Sequence, residues 1–97
     1  MGLIFEWDWK KGESNAHKHG VTFDEAMTVF GDPLELTIAD PYHSQSEFRF
    51  LSIDLSEAGR LLVVAYTERE GRTRIINARK AAPKERRQYG TTGSPRR

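Results

Sequence analysis

Arg69, Arg72, Arg74 and Arg79 crowd into one short stretch of this 97-residue chain, and Lys80, Lys84, Arg86 and Arg87 follow closely. Guanidinium groups on a rigid strand suit bidentate contact with phosphate oxygens, a use for which Arg is better shaped than Lys. The same residues can instead form a solvated basic face with surface ion pairs to Glu70 and Glu85. Glu47-Phe48-Arg49 puts a carboxylate and a guanidinium on one strand face. That pair is either a same-strand ion pair or a base beside a phosphate clamp. Lys18-His19-Gly20 presents an imidazole that can cap a helix C-terminus or act as a general acid or base near neutral pH. His17 and His19 stand two apart, so on a helix they point in different directions and do not form a two-ligand metal site. His43 falls in a polar loop, where exposure is expected. The absence of cysteine excludes disulfides, thiolate metal sites and a Cys nucleophile, and fits a reducing compartment.

The net charge of +1 hides two opposite halves. Residues 1–57 hold four Lys or Arg against eleven acids, a net −7, and residues 58–97 hold eleven against three, a net +8. Such segregation fits a polyanion partner, because the local field rather than the net charge steers a phosphate backbone. It fits equally two halves that attract each other within one domain.

These residues need a scaffold, and the length allows one domain, expected over residues 1–90 with a flexible tail at 91–97. Leu3 to Trp7 reads as a short strand, and Asp8 can cap a helix from Trp9 to about His19, closed by Gly20 in the left-handed conformation. Thr22-Phe23-Asp24-Glu25 has the pattern of a capping box, and Phe23, Ala26, Met27 and Phe30 follow the stripe of an amphipathic helix ended by Gly31-Asp32-Pro33. Strands are then expected at 34–39, 47–55, 60–68 and 73–79, the third nearly all apolar and so central in the sheet. Glu70-Gly71 reads as a tight hairpin turn, and Ala82 to Tyr89 as a last helix with Pro83 in its first turn. On the last strand, uniform alternation gives two sets: Thr73, Ile75, Asn77 and Arg79, or Arg72, Arg74, Ile76 and Ala78. Parity alone does not decide which faces the core. The order β-α-α-β-β-β-β-α, with loops too short for parallel crossovers, predicts an α+β fold with a mostly antiparallel sheet of four to five strands. Two N-terminal helices pack on that sheet, and a C-terminal helix completes it. No apolar run approaches the roughly 20 residues of a membrane span, and no signal peptide is visible, so a cytoplasmic protein without membrane contact is expected.

Taken together, Phe5-Glu6-Trp7-Asp8, Lys11, Asn15, Lys18 to Ala26, Val29 to Pro33, Glu47-Phe48-Arg49, Gly59 to Val64, Tyr66 to Arg69, Arg74 to Ala81 and Glu85 to Tyr89 are ordered and spaced as in a known family. Over residues 5–89 the chain resembles the BrnT family of toxins from bacterial type II toxin–antitoxin modules. It departs from the family pattern at Asn77, where Ser is common, at Ala65, and in the tail after Gly90. The resemblance implies a RelE-like fold and a ribonuclease that arrests translation without a metal or other cofactor. It also implies a BrnA-like antitoxin of the ribbon-helix-helix class in a heterotetramer, and contact with promoter DNA through that complex. A metal-free ribonuclease must deprotonate the 2′-hydroxyl, stabilise the phosphorane and protonate the leaving 5′-oxygen. The matching residues assign proton transfer to His19 and Glu47, and phosphate stabilisation to Arg49, Arg69 and Arg79. RNA contacts fall to Lys18, Arg72, Arg74, Asn77, Lys80, Arg86 and Tyr89.

Two other functions compete. A non-catalytic module could use the basic hairpin and helix only to dock an acidic partner within a DNA-binding repressor complex. A stand-alone DNA-binding regulator is disfavoured, because Asp24 and Glu25 make the second helix repel a phosphate groove.

Overall fold

The Asp8 carboxylate accepts hydrogen bonds from the backbone N–H of Lys10 and Lys11, at 2.9 and 3.3 Å, and so starts helix α1, Trp9–His19. These two amide donors hold the Asp8 carboxyl below its ordinary pKa. Gly20, at φ 70°, ends α1 and donates its N–H to the Ala16 carbonyl, as the sequence leads one to expect. The next start is only half the expected box. Thr22 Oγ1 accepts from Glu25 N at 3.0 Å, but the Glu25 side chain does not turn back to Thr22. It reaches across to Ser56 Oγ at 2.7 Å and Arg60 Nε at 2.9 Å, while Arg60 also donates to the Gly20 carbonyl. Helix α2 therefore covers only Phe23–Met27 and tightens into a 3-10 turn at Thr28–Gly31, where Thr28 Oγ1 donates to the Glu25 carbonyl.

The structure, a computed structural model, describes residues 3–31, 36–39 and 49–89, with the backbone alone at 36–39. Expectations for Asp32-Pro33, His43, Glu47 and the tail lie outside the described residues. Strands β1 (Phe5–Glu6), β2 (Leu36–Ala39), β3 (Arg49–Leu55), β4 (Leu61–Arg69) and β5 (Arg72–Lys80) form one sheet in the order β1-β5-β4-β3-β2, and helix α3, Pro83–Gln88, follows. β2 to β5 pair antiparallel; β1 joins β5 in parallel, matching Phe5 to Thr73 and Glu6 to Arg74. The β4–β5 turn places Glu70 at φ 52° and Gly71 at φ 77°, two consecutive left-handed residues whose twist matches that of the strands they join.

β4 is central and buried from Leu62 to Thr67. On one face Leu62, Val64, Ile75 and Ala78 pack against Val21, Phe23, Ala26 and Val29. Phe5, Phe30, Tyr66 and Phe50 continue this layer as a chain of ring contacts 5.0–5.4 Å apart. On the other face Ile53 and Val63 pack against Ala81 and Tyr89, which flank α3. Each such buried aliphatic side chain contributes roughly 1.5–3 kcal/mol, so both layers are needed to hold a sheet this small.

The Arg60 guanidinium, with help from Ser56, holds the Glu25 carboxyl below its ordinary pKa of 4.5. A folded-state pKa below the unfolded one means that this stabilisation is complete above the unfolded value and is lost as pH falls through the folded one. Urea midpoints for the native chain are therefore expected to fall on acidification below that ordinary value. Glu25→Gln should lower the neutral midpoint and flatten this acid limb, which a urea series from neutral to acid pH will show.

Candidate functional site

The register between β4 and β5 slips once. Tyr66 faces Ile75 and Ala65 faces Asn77, which leaves Ile76 as an extra residue on β5. This bulge reverses the alternation along the strand. Ile75 and Ala78, three residues apart, therefore both enter the helix-side core. Arg72 and Arg74 before the bulge, and Asn77 and Arg79 after it, share the opposite face. Neither set given by uniform alternation is the real one: the bulge merges the polar members of both. Pairing extends the same face across the sheet, since Arg69 sits opposite Arg72 and Thr67 lies between Arg74 and Arg49. Four β5 residues and two neighbours from β3 and β4 thus line one face over a floor of buried Ala65 and Thr67.

Carboxylates partly neutralise this face. Glu6 is held beside Arg74 by the parallel pairing of β1, and its two oxygens bridge to Arg74 at 3.2 Å and Arg72 at 3.4 Å. Arg79 meets Glu85 of α3 through two parallel bonds, at 2.8 and 2.7 Å. Glu85 Oε1 also accepts from Ala82 N at 2.7 Å. This fork holds the Glu85 carboxyl below its ordinary range and raises the already high Arg79 value. Much of the charge segregation in the sequence is thus internal. Glu6 and Glu25, from the acidic half, hold Arg72, Arg74 and Arg60 of the basic half.

A separate cleft of about 220 Å³, open to solvent, runs between α1 and the outer edge of β5. It brings together the expected residues Lys18, His19 and Asn77, and adds Lys11, Ser14, Asn15 and Ile76. Asn15 is buried and has no amide donor left for an anion. Its amide NH2 donates to the carbonyls of Val21 and Ala78 at 2.9 and 2.8 Å, and its Oδ1 accepts from Ala78 N at 3.1 Å. It thereby acts as one peptide unit of a neighbouring strand on the edge that β1 leaves uncovered. His19 is half-buried. The Ala16 carbonyl at the end of α1 accepts from Gly20 N and the Gly20 carbonyl from Arg60, and the imidazole takes no part in either bond.

Of the remaining expected residues, Lys80 and Arg86 are exposed, whereas Tyr89 is 9% exposed and packs with Ile53 and Val63. Glu47, two positions before Arg49 in the sequence, lies outside the described residues. The structure thus gathers the arginines on the sheet face and Lys18 with His19 in the cleft. Asn77 belongs to both, facing Ala65 by register and lining the cleft. Sequence reasoning did not single out Lys11 and Ser14 together as site residues. Their signal was the helical spacing of Lys11, Ser14, Asn15, Lys18 and His19, a polar stripe where a core-facing helix normally carries an apolar one. On the other flank of α1, Trp7, Trp9 and Phe23 line a second open cleft with Glu13 and Asp24 at its edge. Those acids make it unsuited to a polyanion. No helix among the described residues is long and apolar enough to cross a membrane.

A basic face that adjoins a cleft holding an imidazole and two lysines has the donors to bind a phosphodiester backbone and the group to move a proton beside it. Comparisons with known proteins give the chain a family and a fold. Residues 7–85 match the family model described as the ribonuclease toxin BrnT of type II toxin–antitoxin systems. The fold is similar to the 1.1 Å crystal structure of the Brucella abortus ribonuclease toxin BrnT, with a TM-score of 0.61 and 18% sequence identity. That likeness covers 84% of this chain and 99% of the Brucella chain. No curated protein matches the chain.

Proposed function

Because the chain belongs to the BrnT family of ribonuclease toxins of type II toxin–antitoxin systems, we propose that it arrests translation by cleaving RNA with side chains alone. The single observation that carries this reading is the β5 bulge, which unites Arg72, Arg74, Asn77 and Arg79 on one face with Arg49 and Arg69. The RNA backbone lies along that face. The 2′-hydroxyl loses its proton to His19 or Glu47, and its oxygen attacks the adjacent phosphorus. The P–O5′ bond breaks, and the leaving 5′-oxygen takes a proton from the other of these two groups, which leaves a 2′,3′-cyclic phosphate. Arg49, Arg69 and Arg79 stabilise the phosphorane, and Lys18, Arg72, Arg74 and Arg86 hold flanking nucleotides. A phosphate that reaches Arg79 exchanges with the Glu85 carboxylate, since both need the same fork of guanidinium donors. The reaction requires no metal or other cofactor.

The partner in this reading is a BrnA-like ribbon-helix-helix antitoxin that binds the chain in a heterotetramer, neutralises it and carries it to promoter DNA for autoregulation. The protein acts in the cytoplasm. Cleavage of single-stranded RNA by the purified chain, with and without antitoxin, tests the proposal. A module that only docks its partner leaves the RNA intact in both cases.

A further inference from the structure

Resting on that reading, we propose that the cleft between α1 and β5 is a second phosphate subsite, which takes the backbone phosphate of single-stranded RNA next to the cleaved linkage, since His19 lines the same cleft. Lys11, Ser14, Lys18 and Asn77 hold it. The stripe of α1 that faces the cleft is polar, yet attaching the helix to the sheet edge uses only one of its members. Asn15 makes all three bonds to Val21 and Ala78. The side chains of Lys11, Lys18 and Asn77 have no hydrogen bond or ion pair among the described residues.

That sets the cleft apart from the sheet face. There Arg72, Arg74 and Arg79 already carry the carboxylates of Glu6 and Glu85. An anion entering the cleft meets two ammonium groups that hold no ion pair, with only the nearby Asp8 carboxylate acting on Lys11, and displaces no hydrogen-bonded partner. Lys11 and Lys18 lie two turns apart on one side of the helix, so their charges flank the cleft, and the Ser14 hydroxyl lies between them. The route from the sheet face is open, because β1 pairs only with Thr73 and Arg74 and, among the described residues, no strand pairs with the outer edge of β5 at Ile76 and Asn77. An RNA strand lying on the arginine face can therefore cross the edge of β5 at Asn77, which lines both surfaces.

Lys11→Gln tests this, since Lys11 is exposed and outside the proposed catalytic groups. The readout is fluorescence anisotropy with a hexanucleotide carrying 2′-O-methyl groups, which cannot be cleaved. The variant is expected to bind about three- to ten-fold more weakly at low salt, and its plot of log affinity against log salt should be shallower by about 0.7, one single-strand phosphate contact. Its thermal midpoint should match that of the native chain. Native affinity and slope in Lys11→Gln, with binding weakened in Arg72→Gln/Arg74→Gln, would overturn the subsite and leave the sheet face as the RNA surface. The subsite also falls if Lys11→Gln weakens only antitoxin binding. A native chain that neither binds the hexanucleotide nor cleaves RNA would overturn the ribonuclease reading with it.

Discussion

Replacing His19 by alanine is expected to slow RNA cleavage by about 10²- to 10⁴-fold, the usual contribution of a positioned general acid or base. The substitution is a clean one because the structure separates the side chain from the fold. The last turn of α1 is closed by the Gly20 N–H bond to Ala16 and by Arg60 on the Gly20 carbonyl, and neither involves the imidazole. Stability should therefore change by about 1 kcal/mol or less, the low end for a half-buried side chain that holds no hydrogen bond. Affinity for uncleavable RNA should stay within a few-fold, since the arginines remain. Single-turnover cleavage and thermal melting of the same preparation separate the two effects. A variant that melts normally and cleaves at the native rate would remove His19 from the chemistry and leave proton transfer to groups beside Arg49.

The largest loss of stability should come from Asn15. Asn15→Leu keeps the side-chain size and favours the helix, yet it leaves the carbonyls of Val21 and Ala78 and the N–H of Ala78 without their partner in a buried place. Unsatisfied buried groups cost about 1–3 kcal/mol each, and partial relaxation toward water brings the expected total to about 2–4 kcal/mol. For a domain of this size that corresponds to a fall in Tm of about 10–25 °C. Asn15→Asp should be no better, because a carboxylate presents an oxygen to two carbonyls that need a donor. Circular dichroism melts of both variants against Ser14→Ala, one residue away and exposed, provide the measurement. A shift in Asn15→Leu no larger than that of Ser14→Ala would mean that α1 is held on β5 by apolar contacts alone.

The element order was legible because its signals are local. Asp8, Gly20, Thr22, Gly71 and Pro83 each mark a boundary through their own backbone or capping chemistry, and each stands where it was expected. What depended on distant pairing was not legible. Glu25 three residues after Thr22 looks like the return half of a capping box, but Arg60, 35 positions later, competes for the same carboxylate and wins. The parallel pairing of β1 with β5 brings residues 5 and 6 beside residues 73 and 74, and no local pattern announces it.

The site divides in the same way. Its residue types were visible, and so was their density around β5. Their common face was not, because alternation assumes an unbroken strand, and the bulge at Ile76 has no glycine or proline to signal it. Asn15 stood among the residues shared with the family, but its role requires a β5 edge that only the folded sheet creates.

Cleavage of single-stranded RNA by the purified chain in excess EDTA tests side-chain catalysis most directly. Fragments ending in 2′,3′-cyclic phosphate are expected, formed at the same rate with and without chelator and suppressed by the antitoxin. Cleavage abolished by EDTA and restored by Mg²⁺ would contradict side-chain catalysis, because the phosphorane would then be stabilised by a bound metal ion rather than by the arginines of the sheet.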